Sequence, residues 1–279
     1  MSIQLYEKNN LQVSKLTTKN YSTSFSLGVR MLNKKFHNPI YGIYGYVRYA
    51  DEIVDTFYNY PQKNMLDEFI TETYQAIERK ISTNPIIDSF QRIVNQFKIE
   101  PEHIEAFLNS MKMDLNHNEY DKVLGEKYVY GSAEVVGLMC LRVFYHNDNS
   151  GYEKLKPYAR KLGEAFQKIN FLRDIQSDYD DRGRIYFNKV LDNGFTEETK
   201  KEIEENIEED FKQAYEGIKM LHKDVRLGVY LAYKYYRKLF RKIKKSDSET
   251  IMNGRLRLPN SQKMYLLVNA WIKNSINRV

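Results

Sequence analysis

The sequence predicts an all-α fold, and three observations predict it. Apolar residues recur three and four apart almost from end to end, the spacing that lines one face of a helix. Five of the six prolines (Pro39, Pro61, Pro85, Pro101 and Pro259) sit at turn-like stretches just ahead of such segments, where proline suits a first helical turn. Sustained strand-like alternation does not occur. The 279 residues carry no Pro/Gly/Ser-rich linker, repeat or low-complexity tract, so residues 1–279 are expected to form a single domain with a substantial core.

The segments follow in order. No segment is assigned ahead of Asn38. Asn38 and Pro39 open a helix to about Tyr60, Pro61 opens one to about Ile81, Asn84 and Pro85 one to about Phe97, and Pro101 one to about Asn116. A helix from Lys127 to Tyr145 precedes the turn 146–151. A long one then runs from Glu153 to about Tyr179, with Pro157 as a point of irregularity, until 180–184 breaks it. Thr196, with acids behind it, starts a helix to about Leu221. Two more cover roughly 225–245 and 259–277.

Composition narrows the class. No apolar stretch reaches the ~20 residues of a membrane span, and the N-terminus lacks the apolar core of a secretory signal. The lone Cys140 forms no internal disulfide, which fits a reducing cytoplasm, and its apolar neighbours read it as a buried small hydrophobe. Net charge is +6, much of it in 234–245, K-Y-Y-R-K-L-F-R-K-I-K-K. Nucleic-acid binding is not expected, because no nucleic-acid module accompanies that cluster. It reads either as a solvated helix face or as a basic amphipathic helix resting on anionic lipid. The five histidines are scattered without metal spacing.

Two acidic pairs share one spacing: Asp51 and Asp55 in Y-A-D-E-I-V-D, and Asp174 and Asp178 in F-L-R-D-I-Q-S-D. A four-residue step puts both carboxylates on one helical face. Chance alone supplies about five such acidic pairs in a chain of this composition, mostly solvated neighbours. These two stand among apolar residues (Tyr44, Val47, Ile53 and Val54; Phe166, Ile169, Phe171 and Leu172), each with an arginine close by, Arg48 or Arg173. Acids in such company need cations or ligands. Two faces turned toward each other would form an oxygen-rich cleft of the kind Mg²⁺ shares with phosphate-bearing substrates.

Five blocks carry a resemblance. They are Tyr21-Ser-Thr-Ser-Phe-Ser26, Arg48-Tyr-Ala-Asp-Glu-Ile-Val-Asp55, Tyr130-Gly-Ser-Ala-Glu-Val-Val-Gly137, Gln167-Lys-Ile-Asn-Phe-Leu-Arg-Asp-Ile-Gln-Ser-Asp178 and Arg184-Ile-Tyr-Phe187. In order and spacing they resemble the squalene/phytoene synthase family, with the likeness strongest to bacterial phytoene synthases. The resemblance implies a large helical bundle of the isoprenoid synthase type with a central cavity. It implies condensation of two prenyl diphosphates, dependent on Mg²⁺ or Mn²⁺, through a cyclopropyl diphosphate. On geranylgeranyl diphosphate this yields phytoene for carotenoid biosynthesis, without NADPH. On farnesyl diphosphate it yields dehydrosqualene, or squalene when NADPH reduces the product. An ionisation-initiated terpene cyclase is a further alternative.

The resemblance also assigns roles. Asp51, Asp55, Asp174, Asp178 and Asn170 would hold metal, with Gln167 one turn earlier. Arg48, Arg173 and Arg184 would clamp diphosphate, for which the forked guanidinium is suited. Tyr21, Ser22, Ser24 and Phe25 match a diphosphate-contacting segment, although S-T-S by itself reads as a helix cap. Phe25, Tyr44, Tyr130, Tyr186 and Tyr235 are the aromatic faces offered to carbocations, against plain core packing. Arg255, with Arg257, matches a C-terminal basic element. Leu27, Val29, Met31, Val136 and Leu138 are candidates for setting cavity depth.

Overall fold

A computed structural model describes residues 2–116, 119–180, 182–254, 256–259, 261–262 and 266–267. Their regular structure is helical, as expected; the one β pairing among them is an isolated parallel bridge between Glu119 and Ile185. In chain order the helices are α1 (Ile3–Tyr21), α2 (Thr23–Arg30), α3 (His37–Asp55), α4 (Gln62–Arg79), α5 (Pro85–Phe97), α6 (Pro101–Asn116), α7 (Lys122–Val129) and α8 (Val135–Phe144). They continue with α9 (Asn149–Asp180), α10 (Asn188–Asn193), α11 (Glu197–Met220), α12 (Lys223–Lys244) and α13 (Ser248–Met252).

Local chemistry accounts for the boundaries. Asn84 caps α5 by accepting from the amides of Ile86 and Ile87, with Pro85 at the first helical position. Thr196 and Thr199 form a reciprocal capping box at the start of α11. Two expectations shift. The first acidic helix ends at Asp55, not near Tyr60, and α9 runs unbroken through Pro157. The segment expected from Lys127 to Tyr145 is α7 and α8 joined by one π-helical turn, Tyr130–Glu134, within the Y-G-S-A-E block. The helix expected over 259–277 lies largely outside the described residues, as do His117 and Asp181.

Helix α1 went unassigned because its buried face is polar. Asn10, Ser14, Thr17 and Thr18 are its buried residues. Asn10 donates to Asp88 at 2.9 Å, and Thr18 donates to the Ser14 carbonyl at 2.8 Å. Ser14 packs against Gly45 of α3, where an added Cβ would stand 2.9 Å from the serine Cβ. Contact this close between α1 and α3 needs small residues, which leave no apolar stripe to read.

Helix α3 is braced by α1, α4, α5 and α6. There Tyr46 is fully buried, stacks on Phe90 with centroids 3.7 Å apart, and shares a 3.1 Å hydrogen bond with Thr73. Removing a buried ring of this kind costs about 3–5 kcal/mol. Helix α9 is braced by α11 and α12, and α8 packs against both α3 and α9. The acidic ends of α3 and α9 are thus held as two walls over a common floor.

Candidate active site

The structure brings the two acidic pairs together, each at the C-terminal end of its helix. The break after α9 is what joins them. Gly183 takes φ 63°, a conformation open to glycine, and the chain reverses so that the amide of Arg184 donates to the Asp178 carbonyl at 2.7 Å. Arg182 and Arg184 flank that reversal, and both reach the acids. Arg182 donates to Asp178 at 2.6 Å and lies 3.8 Å from Asp55. Arg184 donates to Asp55 at 2.8 Å. A guanidinium therefore bridges the first motif to the second.

The acids stand in unequal environments. Burial, then the neighbouring charge of Asp55, pushes the Asp51 carboxyl up to about 7; Arg48 opposes this from 3.9 Å but is paired chiefly with Glu52. Burial likewise raises Asp178 to about 6 against the pull of Arg182. Asp174 accepts from its own neighbour, Arg173, at 2.8 Å.

Asn170 and Gln167 project beside these acids in one hydrogen-bonded chain. Gln167 donates to Ser132 in the π turn at 3.1 Å, Asn170 donates to Gln167 at 3.2 Å, and the Tyr236 hydroxyl donates to the Asn170 oxygen at 3.2 Å. Ser22 caps α2 by accepting from Phe25 at 3.2 Å, so the cap reading holds for it. Ser24 is half-buried on the same turn. Phe25 stacks on Tyr44 at 4.5 Å, and Phe166 on Tyr236 at 3.9 Å.

Tyr44 and Cys140 are each half-buried. Each keeps accessible surface, yet burial pushes both their pKa values up to about 12. Cys140 is therefore half-buried rather than fully packed, which corrects the expectation of a buried hydrophobe. A pocket of about 480 Å³ opens beside Asp178 and Arg184, walled by Phe171, Ile175, Phe187, Val190 and Met252.

Other expected residues fall elsewhere. Tyr21 is half exposed at the rim, its ring 4.5 Å beneath the Arg48 guanidinium, so it faces that arginine from outside. Tyr130 lies in the π turn, 5.2 Å from Arg160. Tyr186 sits in an aromatic stack and donates to Asp114 at 3.0 Å, so its hydroxyl is committed. Tyr235 packs edge-on against Tyr236. Val29 and Leu138 are buried in the core, whereas Leu27, Met31 and Val136 keep partial exposure. Arg255 lies outside the described residues. Sequence reasoning missed Asp114, Tyr236 and Arg182. For Arg182, its place four residues after Asp178 was the available signal.

The donor set suits a hard divalent ion: carboxylate oxygens of Asp51, Asp55, Asp174 and Asp178, plus the Asn170 amide oxygen. The Asp55 charge, which adds to burial in raising Asp51, is what a cation would offset. Among the described residues no three such side chains converge at ligand distance. Mg²⁺ does not require that, since it takes one or two carboxylates and completes its shell with phosphate oxygens and water.

Residues 18–262 match the family described as squalene/phytoene synthase. A 4,4'-diapophytoene synthase of Staphylococcus haemolyticus is 26% identical over 263 positions, covering 86% of this chain and 89% of the relative. A phytoene synthase of Arthrospira platensis is 27% identical over 294 positions, covering 95% and 93%. In fold, a dehydrosqualene synthase crystallised with a ligand is similar with a TM-score of 0.81, at 22% identity and 99% coverage of both chains. A squalene synthase of Alicyclobacillus acidocaldarius gives 0.75, at 17% identity over 88% of this chain and 96% of that one. With the match spanning most of the sequence and both acidic helices ending at one cleft, the chain belongs to the squalene/phytoene synthase family of prenyltransferases.

Proposed function

We propose that this protein, acting as one domain, joins two geranylgeranyl diphosphates head to head and converts the cyclopropyl diphosphate so formed to phytoene. The observation that carries this reading is the meeting of Asp51/Asp55 and Asp174/Asp178 across Arg182 and Arg184. Asp51, Asp55, Asp174, Asp178 and Asn170 would hold Mg²⁺, which when bound supplies the Lewis acidity that neutralises departing diphosphate.

The chain's own groups do the rest. Arg48, Arg173 and Arg182 surround the acids and offer forked donors to diphosphate oxygens. Breaking the first C–O bond leaves an allylic cation. Its carbon bonds the double bond of the second substrate, and proton loss closes the three-membered ring. Loss of the second diphosphate, rearrangement and a second proton loss give the hydrocarbon without a reductant. The Phe25/Tyr44 and Phe166/Tyr236 stacks offer π faces to these cations, worth about 0.5–2 kcal/mol each. Apolar walls keep water from trapping them.

The same chemistry on farnesyl diphosphate is the second reading, favoured by the 26% identity to a diapophytoene synthase. Incubating the purified protein with Mg²⁺ and either diphosphate, with and without NADPH, decides: a C40 hydrocarbon with a central conjugated triene supports the first reading, a C30 product replaces it, and cyclic products from one substrate reject condensation.

We further propose a cytoplasmic enzyme that touches the membrane surface. Among the described residues no helix is long and apolar enough to cross a membrane. Lys238, Arg241, Lys242 and Lys245 form an exposed basic face at the end of α12. Flotation with anionic vesicles, compared with a variant carrying Gln at these four positions, tests that contact; equal flotation would remove it.

A further inference from the structure

Asp114, at the end of α6, lies outside both acidic motifs and has no part in the chemistry above. It is nonetheless the most heavily hydrogen-bonded acid near the cleft. The hydroxyls of Tyr120, Tyr128 and Tyr186 donate to its carboxylate at 3.2, 2.8 and 3.0 Å. Their rings form a compact stack: Tyr128 on Tyr186 at 4.9 Å and Tyr186 on Phe171 of α9 at 4.3 Å. The bridge of Glu119 to Ile185, with the Tyr120 amide donating to the Ile185 carbonyl at 3.1 Å, ties the 184–187 segment to the chain just after α6. A carboxylate with three hydroxyl donors and 6% exposure has one orientation available.

Its remaining partner is Arg184. Nη2 of that guanidinium is used by two backbone carbonyls, Asp114 at 3.0 Å and Val54 at 3.2 Å. Nη1 lies between two acids, 2.8 Å from Asp55 Oδ1 and 3.6 Å from Asp114 Oδ1. Arg182 also approaches Asp55 through Oδ1. With Asp114 ionised, the positive charge is shared between the two acids. With Asp114 neutral, Arg184 would give its whole charge to Asp55.

We propose that Asp114 is a positioning residue: through Arg184 it fixes Asp55 and limits the charge taken from it, so that the first motif keeps its affinity for a divalent ion bound with diphosphate. This rests on the functional reading above. The test reads binding, not turnover: Mn²⁺ with inorganic pyrophosphate, followed by the loss of the free-ion EPR signal, beside thermal unfolding. Asp114→Asn should weaken Mn²⁺ binding roughly 10–100-fold, the usual cost of altering a group that orients a metal ligand. Should that variant not fold, Tyr128→Phe decides, since it keeps the ring and removes one donor; a weakening of roughly three-fold is expected. A lowered melting temperature with unchanged Mn²⁺ affinity in the folded variants makes the cluster purely structural and overturns the proposal. If the unaltered protein fails to bind Mn²⁺ with pyrophosphate, the parent reading falls and this one with it; if it binds and the variants bind equally, this proposal alone falls.

Discussion

The two acidic helices end on the same four-residue step, yet their electrical surroundings differ. At the end of α3, Asp51 is pushed to about 7 by burial and by Asp55, and its neighbour Arg48 is drawn away to Glu52. At the end of α9, Asp174 is gripped by the arginine next to it, and Asp178 by Arg182 one turn on. In the first wall Asp55 is paired with Arg184 and Asp51 has only a distant arginine; in the second wall both acids are paired at close range. A repeated motif therefore does not mean repeated surroundings. In the proposed function both walls would face Mg²⁺, and the guanidinium groups of the second would suit the diphosphate bound with it.

Replacing one acid in each wall is the strongest way to break this comparison. Asp51→Asn and Asp174→Asn should each lower turnover roughly 10²–10³-fold or more, because each removes a charge worth several kcal/mol at the departing diphosphate. Their stabilities should diverge. Asp51→Asn removes a partly exposed charge crowded by Asp55 and should leave the melting temperature equal or higher. Asp174→Asn strips Arg173 of a charge-assisted partner, costing about 1.5–3 kcal/mol. Thermal unfolding of the two metal-free variants checks it; identical shifts would erase the distinction.

The same asymmetry should appear as a pH effect. The Asp51 pKa stands near 7 in the folded protein, above its ordinary 3.8. Between those values the folded state holds a proton that the unfolded chain has released. Its contribution to stability is full at about pH 4 and is lost as pH rises through 7. Mg²⁺ requires the ionised form. The rise in melting temperature on adding Mg²⁺ should therefore be larger at pH 8 than at pH 6, and Asp51→Asn should reduce that difference. A Mg²⁺ response independent of pH in the unaltered protein would count against Asp51 as a ligand.

What was readable from the chain divides along physical lines. Asp51, Asp55, Asp174 and Asp178 were legible because a helix fixes their spacing locally, and α5 and α11 because Asn84, Pro85 and Thr196 are local signals. Helix α1 was hidden because its packing against α3 uses small polar residues, whose burial no periodicity reports. Asp114 was hidden because its meaning comes from Tyr120, Tyr128, and the segment bearing Arg184 and Tyr186, gathered by the fold. Between the adjacent Tyr235 and Tyr236, only the angle of α12 over α9 decides which hydroxyl reaches Asn170.

That last pair supplies the smallest expected effect and sharpens the comparison within the second wall. Tyr236→Phe keeps the stack on Phe166 and removes only the hydrogen bond to the Asn170 oxygen. One such bond is worth about 0.5–1.5 kcal/mol net, so kcat/KM should fall roughly two- to ten-fold. Tyr236→Leu removes the π face as well and should lower it further. If the aromatic face is what meets the cation, the second loss should fall on kcat more than on KM, because a charge present only along the reaction path leaves substrate binding unchanged. Equal losses in both variants would reduce Tyr236 to the anchor of Asn170.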